Sequence, residues 1–133
     1  MKKKYKVLEF NQLGDERGHL VVIEGNKDIP FNIKRLFYIY GTKDNVIRGK
    51  HANKKSKFVL INLSGNCKIK VDDGNNMEEI ILNKAHQGIY LEEMVWKDMY
   101  DFSEDSILLV LSDEYYDKEE YITDYVEFKK IFV

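Results

Sequence analysis

The chain has 133 residues, 44% hydrophobic and 33% charged, which predicts one globular domain spanning 1–133 and excludes a disordered chain. Its 21 basic and 23 acidic residues give a formal net charge of −2, which argues against broad electrostatic binding to nucleic acid. We expect a cytoplasmic protein, because no apolar run approaches the roughly 18 residues of a membrane span and the single cysteine, Cys67, cannot form an internal disulfide.

Short segments with strand character follow one another along the chain. Residues 67–71 alternate strictly between apolar and polar side chains, which predicts a strand with one solvent-facing side. The sequence DDGN at 72–75 is a strong hairpin signal, since Asp-Gly and Gly-Asn pairs accept positive φ angles. The predicted strands are residues 5–10, 19–24, 33–40, 58–63, 67–71, 79–82, 88–91, 95–102 and 106–111. Such a series predicts an all-β sandwich or barrel.

The C-terminal residues depart from this pattern. The acidic sequence at 117–120 is typical of a helix start, and Tyr121, Ile122, Tyr125 and Phe128 fall on one helical face. We therefore predict a short C-terminal helix that packs on the β-domain.

The densest polar cluster is RGKHANKK at 48–55. If no bulge interrupts this strand, Arg48 and Lys50 point to one side, and His51 and Asn53 point to the other. An inward-facing His and Asn would need hydrogen-bonding partners, which a substrate can supply. The alternative is an exposed basic strand with a solvated histidine.

Several segments carry a family resemblance. They read DERG at 15–18, IPFNIKRLFYIY at 29–40, RGKHANKK at 48–55, LSG at 63–65, VDDG at 71–74, GIY at 88–90, MVW at 94–96 and LVLSDEYYD at 109–117. In this order they make nearly the whole chain similar to the nucleotide-sugar 3,4-ketoisomerases of the cupin superfamily, which act on dTDP-4-dehydro-6-deoxyglucose in bacterial surface-polysaccharide pathways. The resemblance implies a cupin-type double-stranded β-helix (jelly-roll) barrel, and a homodimer in which an N-terminal strand is often exchanged between subunits.

The resemblance also implies that His51 is the catalytic base, because it occupies the family's first His of Arg-Gly-x-His-Ala. Three positions depart from common members of the family. Asn53 stands where many have a second His, Phe37 where several have Tyr, and Lys97 where others have His or Arg. Metal-binding cupins use a His-x-His pair with further ligands, and a lone imidazole does not hold a catalytic metal. We therefore expect neither a metal nor another cofactor.

The isomerisation moves the hydrogen of C3 to C4 through an enediolate. A neutral imidazole suits both transfers, since its ordinary pKa of about 6.5 lies near the working pH. Donors near the developing oxyanion should contribute more, and the candidates are Arg17, Tyr38, Asn53 and Lys97. A proton must also pass between the two oxygens, carried by Tyr38 or by a water molecule.

The nucleotide part of the implied substrate contains a pyrophosphate. Arg48 and Lys50 beside the base are candidates to bind it, and Arg35 is another. Arg17 and Lys97 are the candidates for deciding which face of C4 receives the proton. Resemblance to one subgroup favours the galacto product over the gluco product.

Two other functions stay open. A dTDP-sugar 3,5-epimerase shares the fold but needs a His-Asp arrangement that the sequence does not show. A non-catalytic module that binds a nucleotide sugar would explain the polar groups missing at Phe37 and Asn53.

Overall fold

The computed structural model describes residues 2–133 as two stacked antiparallel sheets of five strands each. Sheet 1 contains, in spatial order, β1 (Tyr5–Glu9), β9 (Gln87–Leu91), β6 (Phe58–Ser64), β11 (Ile107–Ser112) and β4 (Arg35–Tyr40). Sheet 2 contains β12 (Tyr121–Ile122), β5 (Arg48–Asn53), β10 (Trp96–Tyr100), β7 (Cys67–Asp72) and β8 (Met77–Leu82). A separate hairpin is formed by β2 (Gln12–Asp15) and β3 (Gly18–Val21).

The main core lies between the two sheets. Strands β6 and β7 match the predicted strands 58–63 and 67–71 to within one residue. In β7 the apolar residues Cys67, Ile69 and Val71 are buried while Lys70 is exposed, as the alternation predicts. The inward-facing side chains of both sheets form one cluster, which includes Leu60, Leu82, Ile89, Leu108 and Val110.

The all-β prediction and the short C-terminal helix are confirmed, and the sheets form a cupin-like sandwich. They do not close into a continuous barrel. Within residues 2–133, β4 ends sheet 1, the pair β12–β5 ends sheet 2, and no backbone ladder joins these two edges. The sandwich is therefore open at this edge, where β4, β5 and β12 line a common cavity.

The outer face of sheet 1 carries a second apolar layer. The predicted strand 19–24 is shorter than expected, since β3 ends at Val21. The following chain is mostly irregular and places Ile29 and Phe31 against Val59 and Ile61 of the sheet. Burial of this layer stabilises residues 22–34 without a regular ladder.

The predicted helix start is wrong. Tyr121 and Ile122 form β12 and pair with Asn53 and Ala52 of β5, where they satisfy backbone groups at the edge of sheet 2. The helix α1 (Tyr125–Lys130) begins after Asp124, whose carboxylate accepts hydrogen bonds from the amides at 126 and 127. The preceding residues Lys118–Glu120 form one 3-10 turn.

Across residues 2–133, no helix has the length and apolar character needed to cross a membrane.

Candidate active site

A cavity of about 150 Å³ lies between the sheets at their open edge. Its walls come from β4, β5, β6, β10, β11 and β12. The lining residues are Phe37, Ile39, Arg48, Gly49, His51, Phe58, Lys97, Met99, Val110 and Tyr121. Most are apolar, so the few polar groups among them act in surroundings of low dielectric constant.

A β-bulge in β5 determines which side chains enter this cavity. His51 pairs with Lys97 and Gly49 pairs with the next residue, Asp98, so Lys50 is the extra residue on β5. Gly49 and Lys50 have φ angles of 85° and 56°. A Cβ atom at Gly49 would lie 2.9 Å from the carbonyl oxygen of Lys97, so this position favours glycine for both its backbone angle and its close packing.

The bulge corrects the alternation predicted for residues 48–53. Arg48 and His51 line the same cavity, although strict alternation places them on opposite sides. Lys50 instead lines a groove that also contains Lys70 and Trp96. Because a bulge inserts one residue, every side chain before it changes face relative to those after it.

His51 is held as a neutral base. Its Nδ1 lies 3.0 Å from the carbonyl oxygen of Gly49, and since that oxygen only accepts, Nδ1 carries the hydrogen. This tautomer leaves Nε2 with a free lone pair. Burial, reinforced by the positive charge of Lys97, lowers the pKa of His51 to about 4. The imidazole is therefore unprotonated at neutral pH and able to accept a proton.

Lys97 is buried beside His51. Only 3% of the residue is exposed, its Nζ lies 3.2 Å from Oδ1 of Asn53, and the same atom lies 4.2 Å from the ring centroid of Phe58. Burial lowers the pKa of Lys97 to about 7, with Arg35 acting in the same direction and Glu120 opposing both. Near neutral pH the side chain therefore exists as both ammonium and amine.

Asn53 and Glu120 form the polar wall next to Lys97. Asn53 is buried, and its side chain faces the Glu120 carboxylate, whose pKa it helps to lower. The Glu120 carboxylate accepts hydrogen bonds from the Ser56 hydroxyl and from the amides of Lys55 and Ser56, at 3.0 and 2.9 Å for the amides. Burial alone would raise the pKa of Glu120, but these hydrogen bonds outweigh it and lower the pKa. Glu120 therefore places a negative charge near Lys97.

Arg35 brings a further cation to the open edge. Its guanidinium carbon lies 5.4 Å from the ring centroid of Phe37, 6.0 Å from that of Phe58 and 5.7 Å from that of Tyr116. Its Nε and Nη2 are buried and have no hydrogen-bond partner within residues 2–133. Two donors held in this way suit an oxygen-rich anionic group.

The other predicted site residues lie elsewhere. Arg17 is at the turn of the β2–β3 hairpin, where it binds Asp15 at 2.7 Å with 86% of its side chain exposed. Tyr38 is 58% exposed, and its neighbours Phe37 and Ile39 are the β4 residues that line the cavity. One chain therefore brings together His51, Asn53, Lys97, Arg35 and Arg48, but not Arg17, Tyr38 or Lys50.

Sequence reasoning missed two residues of this site, Glu120 and Tyr121. The sequence pattern predicts a helix start that includes Glu120 and places Tyr121 on the face of that helix. The pairing of β12 with β5 puts both residues at the site. An alternating strand pattern of two residues is too short to be distinguished in a sequence.

The chain is similar to known proteins over nearly its whole length. Residues 3–132 match the family model described as FdtA: WxcM-like, C-terminal. The chain is 48% identical over 125 residues to the TDP-4-oxo-6-deoxy-alpha-D-glucose-3,4-oxoisomerase of Aneurinibacillus thermoaerophilus, covering 94% of this chain and 90% of that protein.

Solved structures of similar proteins have the same fold. A TDP-fucose-3,4-ketoisomerase from Campylobacter jejuni superposes with a TM-score of 0.93 at 45% identity, covering 98% of this chain and 97% of the other. A 3,4-ketoisomerase from Thermoanaerobacterium thermosaccharolyticum, solved as its H51N mutant with TDP-4-keto-6-deoxyglucose, superposes with a TM-score of 0.94 at 39% identity, covering 98% and 95%. The chain therefore belongs to the FdtA family (WxcM-like, C-terminal) and is an isomerase.

Proposed function

We propose that the protein converts dTDP-4-dehydro-6-deoxy-D-glucose into a dTDP-3-dehydro-6-deoxyhexose. The observation that carries this proposal is a neutral His51 beside buried Lys97 in a small, largely apolar cavity. The sugar of the proposed substrate is the ligand named for the relative from Thermoanaerobacterium thermosaccharolyticum.

The chemistry needs one base and a stabilised oxyanion. In the proposed reaction, Nε2 of His51 removes the hydrogen of C3, a C3–C4 double bond forms, and the electrons of the C4 carbonyl move to its oxygen. The same imidazole then delivers the proton to C4. We assign the developing negative charge to the ammonium of Lys97 and to the amide of Asn53, whose Oδ1 accepts a hydrogen bond from that ammonium at 3.2 Å.

The nucleotide must extend beyond the cavity. Pockets that enclose whole ligands usually measure about 300–1,000 Å³, and this cavity measures about 150 Å³. We propose that the sugar enters and that the pyrophosphate stays at the open edge between β4 and β5. Arg48 lines the cavity there and Arg35 has two unpaired donors, so both suit the phosphate oxygens. Lys50 faces a different groove, which makes it a weaker candidate.

We propose a homodimer, and the exposed apolar residues of one chain support it. The hairpin residues Leu13 and Leu20 are cross-strand partners and are 48% and 57% exposed. On β4, Tyr38 and Tyr40 are 58% and 71% exposed. A second copy of the chain would cover these side chains and could carry its own Arg17 towards the site.

Sedimentation equilibrium tests this dimer. We expect a particle of twice the chain mass of 15.8 kDa, and we expect Leu20→Asp to shift it towards the monomer. Ile81→Asp is a matched control, because Ile81 is 53% exposed on β8 of the other sheet. A wild-type protein that stays monomeric at micromolar concentration would contradict the dimer.

Two further proposals concern the C4 configuration of the product and the use of that product. We propose the galacto configuration at C4, with Arg17 and Lys97 directing the proton, and a role in a surface-polysaccharide sugar. We also propose that the enzyme works in the cytoplasm, which suits the free, buried thiol of Cys67.

One experiment tests the reaction. The protein is incubated with dTDP-4-dehydro-6-deoxyglucose in D₂O and the sugar is followed by NMR. We expect a 3-keto sugar, with deuterium at C4 wherever the imidazolium has exchanged with solvent. The same reaction in H₂O gives the H4–H5 coupling constant, which distinguishes galacto from gluco. Inversion with exchange at C5 would instead indicate a 3,5-epimerase, and tight binding without turnover would indicate a binding module.

A further inference from the structure

The proposed reaction leaves one proton without a carrier. His51 serves the two carbons, but the hydroxyl hydrogen on O3 must also leave while O4 gains a hydrogen. Phe37 lines the cavity and has no hydroxyl, and Tyr38 is exposed rather than part of the cavity lining. Among the lining residues, the one hydroxyl belongs to Tyr121.

The pairing of β12 with β5 directs Tyr121 inward. Tyr121 is opposite Asn53 and Ile122 is opposite Ala52, and directly paired residues of antiparallel strands project to the same face. Ile122 and Ala52 pack together in an apolar cluster beneath α1. Tyr121 therefore lies on the other face, with buried Asn53.

The ring of Tyr121 contacts the proposed base. Its centroid lies 4.7 Å from that of His51, with an angle of 59° between the planes. Three other tyrosines, Tyr5, Tyr100 and Tyr125, donate their hydroxyl hydrogens to carboxylates. The hydroxyl of Tyr121 makes no such bond within residues 2–133, so it is available to a ligand.

We propose that Tyr121 is a second catalytic residue that carries the proton between the two sugar oxygens, an assignment that rests on the proposed ketoisomerase function. Once the enediolate has formed, the phenol of Tyr121 donates its hydrogen to O4. The resulting phenolate takes the hydrogen from O3 as the C3 carbonyl forms and the imidazolium protonates C4. Each O–H bond that breaks is matched by one that forms, and both side chains return to their starting state.

The variant Tyr121→Phe tests this role, because it keeps the ring beside His51 and removes only the hydroxyl. We expect kcat to fall roughly 10²-fold, the low end for a positioned acid–base group. We also expect KM to change less than threefold. The matched control is Tyr115→Phe, since Tyr115 belongs to the same C-terminal region, is 70% exposed and does not line the cavity.

A second measurement separates a proton carrier from a structural role. In D₂O, an enediolate that cannot exchange its oxygen protons returns to substrate, so Tyr121→Phe should raise the ratio of deuterium entry at C3 of the substrate to product formation. The assignment would be overturned if deuterium entry at C3 and product formation fell by the same factor. A kcat within threefold of wild type would overturn it as well. Wild-type protein that forms no 3-keto sugar would instead contradict the proposed function itself.

Discussion

The variant His51→Asn is expected to lose roughly 10²–10⁴-fold in kcat while still binding the dTDP-sugar. Asparagine preserves a polar side chain of similar reach but has no basic nitrogen. The base is lost, because the asparagine amide cannot accept the proton that Nε2 of the neutral, Nδ1-protonated imidazole takes from C3.

The measurements are turnover by NMR and affinity for the dTDP-sugar by calorimetry. His86→Asn is the matched control, since His86 lies outside the cavity. Deuterium entry at C3 should vanish together with product, because both begin with the same proton transfer. Turnover within a few-fold of wild type would show that another group is the base.

The variant Lys97→Met should lower kcat by about 10²–10³-fold, the usual cost of removing one donor to an oxyanion. Methionine fills a similar volume without charge, so the buried site stays packed against Phe58. Lys70→Met on the exposed side of β7 is the control.

The pH profile gives Lys97 a more specific test. In the wild type, kcat/KM should fall below about pH 4 as His51 takes up a proton, and above about pH 7 as Lys97 loses one. In Lys97→Met the alkaline fall should disappear. The acid fall should move to higher pH, because a positive charge that disfavours the imidazolium has been removed. An unchanged alkaline fall would contradict the role of Lys97 as a cationic donor.

Local pattern was enough to predict the class of fold. Strict alternation at 67–71 and the hairpin signal at 72–75 identify β7 and the turn that follows it, because side-chain period and turn chemistry depend on a few neighbouring residues. The motif at 48–55 identifies β5 as the strand that carries the polar site residues. The similarity of these segments to the 3,4-ketoisomerases is confirmed by the comparisons.

The side chains that meet in the cavity depend on pairings that are distant in sequence. Strict alternation separates Arg48 from His51, but the bulge at Lys50 arises only when β5 pairs with β10, and it brings both residues to the cavity. The direction of Tyr121 also depends on a distant pairing, since the register with Asn53 turns its side chain inward.

Burial and charge are also properties of the tertiary structure. The sequence identified His51, Asn53 and Lys97 by residue type. Their protonation depends on removal from water and on the placement of Glu120 near Lys97, contributed from the other end of the chain. The sequence by itself thus determined most of the strands, the family and the polar residues of the motif. Only the tertiary structure decided which of them face one another, because strand register and desolvation are set by contacts between segments far apart in the chain.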